Sequence, residues 1–116
     1  MANEDTTKLS LGIKDRLVLP TFFPERSNFV DQILKEDIGK KVNISQEDIK
    51  TVGLHYTDPD KDGKQFMTWD KDKDVGKDVE FTKAEIQFLK KQIDRLDREE
   101  SLSDEMMEMA KQLRKT

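Results

Sequence analysis

The run Asp58-Pro59-Asp60-Lys61-Asp62-Gly63 sets carboxylates at alternate positions ahead of a glycine. A twelve-residue calcium loop supplies oxygen ligands at its first, third and fifth positions in this way, with glycine sixth for a sharp bend. Such a loop also needs a bidentate carboxylate at its twelfth position, because calcium takes at least six oxygens. Trp69 stands there, and Asp70 comes one residue late. A calcium-binding or calcium-stabilised module built on Asp58 to Gly63 is therefore the alternative reading. The leading one is a plain turn, since Asp-Pro and Asp-Gly both favour chain reversal. No metal and no cofactor is expected. A second acidic run, Asp70, Asp72 and Asp74, alternates with Lys71 and Lys73. Its glycine, Gly76, is one position late and its twelfth position is Phe81, so a solvated loop of mixed charge is expected.

Other catalytic chemistry has little to draw on. The chain has no cysteine, which removes thiolate nucleophiles, disulfides and Cys-ligated zinc. His55 is the sole histidine, and nothing in its own segment offers it a nucleophile. The five glycines are scattered and form no phosphate cradle. Pairs such as Glu99 with Glu100, or Asp97 with Glu100, fall on a helix surface and do not read as a glycosidase pair. Lys90, Lys91, Arg95 and Arg98 give a basic helix face that Asp94 and Asp97 interrupt, and the net charge is −4. Nucleic acid is therefore not an expected partner, nor is an anionic membrane. No apolar run is long enough to span a bilayer, and MANEDTTKLS lacks the apolar stretch of a signal peptide. These residues predict a non-enzymatic cytoplasmic protein.

What remains for recognition is apolar. Phe88 lies about 160° around the helix from Ile86 and about 100° from Leu89, off the main stripe. Met106, Met107 and Met109 offer adaptable contact area on a short helix. Phe88, Met106 and Met107 are the candidate partner-binding residues. The bland alternative for Phe88 is packing inside its own chain, against Leu11, Leu17 or Phe22.

The elements that would hold these residues are legible in part. Thr82 and Glu85 form a reciprocal capping box ahead of Ile86, Leu89, Ile93 and Leu96, which share one face at spacings of three and four. This predicts a helix over residues 82–99. Ser10 predicts the cap of a helix over 11–19, ended by Pro20. Ser27 or Asn28 caps a second, to about Gly39, with Phe29, Ile33, Leu34 and Ile38 as its stripe. Ser45 and Asp48 cap a two-turn third, and Ser103 starts a last one that folds back as an αα-hairpin. From Val52 the period becomes alternating, which predicts strands over 52–57, 64–70 and 78–81. The expected fold is α+β. A three-stranded antiparallel β-meander is covered by the 82–99 helix, with helices before and after and Trp69 in the core. Residues 1–9 are expected to be a flexible arm and 10–116 one domain.

Three stretches, LSLGIKDRLVLPTFFPERSNF, FMTWDKDKD and VEFTKAEIQFLKKQIDRLDREESLS, resemble in order and spacing small uncharacterised proteins encoded by phages and prophages. The resemblance implies a mobile-element origin. It carries no catalytic motif, and the Asp-rich loops here are longer than the pattern. The function expected is that of a small soluble protein-interaction domain, an accessory to a phage or mobile element.

Overall fold

The computed structural model describes residues 6–116. Along the chain run β1 (Thr6–Leu11), α1 (Ile13–Val18), α2 (Phe29–Val42), α3 (Gln46–Val52), β2 (His55–Tyr56), β3 (Met67–Thr68), β4 (Lys77–Thr82), α4 (Lys83–Arg98) and α5 (Asp104–Arg114). The class is α+β, with two antiparallel two-stranded sheets among the described residues.

The expected three-stranded meander does not form. β4 pairs with β1, not with β3, in a register that sets Leu9 opposite Val79 and Thr7 opposite Phe81. The physical reason is the apolar content of β1. Leu9, Leu11, Val79 and Phe81 are all buried on one face, and α4 covers them. The other face carries Lys8 opposite Glu80 and Ser10 opposite Asp78, as a half-solvated antiparallel pair should. Gly76, at φ +79, turns the chain into β4, where a Cβ would come within 2.8 Å of the Ser10 hydroxyl. The expected helix over 11–19 is corrected by the same pairing. Its first residue lies in the strand, and α1 begins after Gly12. Pro20 tightens the chain into a 3-10 turn, Leu19–Phe22, with Leu19 and Phe22 buried. Of the expected arm, residues 1–5 lie outside the described residues and residues 6–9 belong to β1.

α4 forms as its capping box dictates. The Glu85 N–H donates to Thr82 Oγ1 at 3.1 Å, and the Thr82 N–H donates to Glu85 Oε1 at 2.8 Å. Ile86, Leu89, Ile93 and Leu96 are buried. α5 folds back along it, with Arg114 3.2 Å from Asp94, and contributes Met109, Ala110 and Leu113 to the same core. Asn28 caps α2 by accepting from the Asp31 N–H. α2 runs through Gly39 to Val42, because Ile38 and Val42 both gain burial. Its outward half departs from the expected stripe: Phe29 is 80 % exposed, and Ile33 is partly exposed. Ser45 and Asp48 cap α3, which continues through Val52 to Gly53 in the left-handed region at φ +66. Val52 is thus the end of a helix and not the start of a strand.

Candidate functional site

Several titratable groups are occupied with structural work. Arg16, buried under α1, donates from Nε to the Val42 carbonyl and from Nη2 to the Asn43 carbonyl and to Asp48 Oδ2 at 2.8 Å. That carboxylate also accepts from the Ser45 N–H and Oγ. The Arg16 hydrogen bond, then the Ser45 amide, hold its pKa down at about 2. The arrangement joins α1, the end of α2 and the start of α3. Glu85, buried at the start of α4, receives Lys41 Nζ at 2.5 Å. Asp74 accepts the Ile13 N–H at 3.0 Å and so caps α1 from a loop distant in sequence. Asp60 Oδ1 accepts the backbone N–H groups of Asp62 and Lys64 at 2.8 and 2.9 Å. The Asp58–Gly63 loop therefore uses its central carboxylate to hold its own turn, with Gly63 at φ +75. Among the described residues, no three His, Asp or Glu side chains stand together as a metal set would. His55 lies exposed, its Nδ1 2.7 Å from the Gly53 carbonyl.

Phe88 is 3 % exposed and belongs to the core. Its ring centroid lies 6.2 Å from that of Phe23, at an interplanar angle of 50°. Phe88 is therefore withdrawn as a partner-binding residue. The 3-10 turn after α1 delivers Phe23 over α4, a long-range contact to a residue none of the expected partners named. Met106 packs half-buried against the same core, while Met107 remains partly exposed. The three candidates do not form one surface.

Besides Phe29 on α2, two aromatics are exposed on a two-stranded arm. β2 and β3 pair with His55 opposite Thr68 and Tyr56 opposite Met67. The ladder continues toward the tip. The Thr57 N–H donates to the Phe66 carbonyl at 2.7 Å, and the Phe66 N–H donates to Thr57 Oγ1 at 2.9 Å. At the base, the Asp70 N–H donates to the Val52 carbonyl at 2.8 Å. Trp69 is half-buried there, not in the core, with Lys71 Nζ 3.8 Å above its ring. Tyr56 is 62 % exposed with Met67 beside it on one face of the ribbon, and Phe66 is 61 % exposed on the other. The radius of gyration, 15.7 Å, exceeds the about 13 Å of a compact domain of this length, as a projecting arm requires. The sequence shows this arm's alternation and turn residues, but not that its apolar side chains lack a body to pack on.

No family model matches the chain, and neither a curated protein nor a solved structure matches it. Among the described residues no helix is long and apolar enough to cross a membrane.

Proposed function

We propose that this chain is a small non-enzymatic protein-interaction domain whose β2–β3 arm makes the contact. The observation that carries the reading is the exposure of Tyr56 and its cross-strand neighbour Met67 on one face of a hydrogen-bonded ribbon, with Phe66 exposed on the other. Aromatic and methionine side chains supply large contact area with few polar demands, and they are enriched at interface centres. The ribbon's own ladder fixes their spacing, so little ordering entropy is lost on docking. A protein fits this surface better than a nucleic acid. The loop at the tip holds Asp58, Asp60 and Asp62 against Lys61 and Lys64, and the whole chain is negative. The resemblance to small phage-encoded proteins supports an accessory role, acting on a host or virion protein in the cytoplasm.

The test is the double substitution Tyr56→Ala with Phe66→Ala. Both side chains are mostly exposed, so melting should stay close to wild type. A protein retained by the wild-type chain from an extract of its host should be lost. Retention of the same protein at equal yield would refute the arm as the contact.

A further inference from the structure

A second site, independent of the arm, lies where α1, α3 and the loop into β4 meet. A half-open cavity of about 70 Å³ is lined there by Arg16, Lys73 and Lys77. It has room for several waters or for one small oxyanion. Leu11, Ile13 and Val52, all buried, form its apolar wall. Arg16 is only 4 % exposed, yet its guanidinium is not fully used. Nε donates to the Val42 carbonyl, and Nη2 to the Asn43 carbonyl and Asp48, while Nη1 donates to no described residue. A charged donor buried to this degree calls for an acceptor.

The two carboxylates that border the cavity are both engaged. Asp48 balances Arg16 at 2.8 Å, and Asp74 Oδ2 accepts the Ile13 N–H at 3.0 Å. Lys73 and Lys77 are exposed at the rim, and neither makes an ion pair among the described residues. Three cations against two carboxylates leave one positive charge in excess here, in a chain whose net charge is −4. We propose that this cavity binds a tetrahedral oxyanion of the phosphate class, with Arg16 Nη1 as the inner donor and the Lys73 and Lys77 ammoniums closing over it from the rim. The mixed donor set favours an ion with several oxygens. A planar guanidinium in fixed position meets one side of it, and two flexible ammoniums meet the others. Arg16 needs no reordering, because its Nε and Nη2 bonds already hold it. The lysine charges offset the cost of taking the ion partly out of water. Binding ties α1 and α3 to the loop before β4, the same loop whose Asp74 caps α1.

Titrating inorganic phosphate into the full chain at constant ionic strength, followed by backbone and arginine side-chain resonances, tests this. The amide signals of Thr51 and of residues 73–77 and the guanidinium signals of Arg16 should shift along one saturable curve. The melting temperature should rise with phosphate. The double substitution Lys73→Gln with Lys77→Gln, at exposed positions, should melt as wild type without phosphate and bind it about tenfold more weakly. Lys61→Gln with Lys64→Gln removes the same charge from the tip of the arm and should leave phosphate affinity unchanged. A wild-type chain without a saturable shift would overturn the proposal, as would chloride alone producing the same shifts. So would a Lys73 and Lys77 variant that binds as tightly as wild type, or an arm variant that loses as much affinity.

Discussion

The ring of Phe88, on α4, lies 6.2 Å from that of Phe23, which follows the 3-10 turn after α1. This pair closes the core on the side of α4 that its main stripe leaves uncovered. Tilted aromatic pairs at such separations add about 0.5–1.5 kcal/mol beyond their buried area. Phe88→Ala should therefore lower unfolding free energy by about 3–5 kcal/mol. Chemical denaturation measures it; a loss below about 1 kcal/mol would mean that the site is open, as an interface residue would be.

Asp48 gives the fold an acid-sensitive joint. Its carboxyl is held at about 2 against an ordinary value of 3.8, first by the Arg16 hydrogen bond. A depressed carboxylate contributes stability that is complete above its unfolded pKa and is lost as pH falls through the folded one. The contribution should be full above about pH 4 and fade between pH 4 and 2, worth about 1 kcal/mol after solvent screening of a partly exposed group. Asp48→Asn should be less stable than wild type at pH 6, and the gap should narrow in that acid window. Melting curves at a series of pH values check it, with a constant gap as the contrary result.

Gly76 should not tolerate a side chain. Its φ of +79 disfavours any other residue, and a Cβ would sit 2.8 Å from Ser10 Oγ in the neighbouring strand. Gly76→Ala is expected to cost about 1–3 kcal/mol and to speed amide exchange along β1 and β4. Exchange unchanged in both strands would show that the turn does not set the pairing.

How much of this was legible follows from how local each signal is. α4 and α3 were readable because cap and stripe lie within a few residues: Thr82 with Glu85, Ser45 with Asp48. The β1–β4 pairing is not, because Leu9 meets Val79 across most of the chain, and Ser10 reads locally as a helix cap. Phe29 and Ile33 share the spacing of Leu34 and Ile38, and spacing alone does not say which side of a helix meets the core. Asp60 holds a turn in the first acidic loop, but Asp74, in the second, acts as a distant helix cap that only the folded chain reveals. Of the expected recognition residues, Phe88 is internal, and the alternation that predicts strands over 52–57 and 64–70 does not show that Tyr56 and Phe66 stay exposed.

Calcium should leave the tip of the arm unchanged. Asp60 already accepts two backbone amides, and the twelfth position of the loop is Trp69. Backbone amide signals of residues 58–69 should show no saturable shift at sub-millimolar calcium. A saturable shift there, with a rise in melting temperature, would restore the calcium reading. Asp60→Ala should instead loosen the tip with or without the ion.

The arm as contact surface is tested most directly by photo-cross-linking in the native host. A benzophenone amino acid in place of Phe66 should capture one discrete protein. The same group in place of Glu108, exposed on α5, should capture none. Loss of the Phe66 adduct on adding Tyr56→Ala would show that the contact wraps the arm and reaches the Tyr56–Met67 face as well. No adduct from position 66, or the same adduct from position 108, would contradict the account.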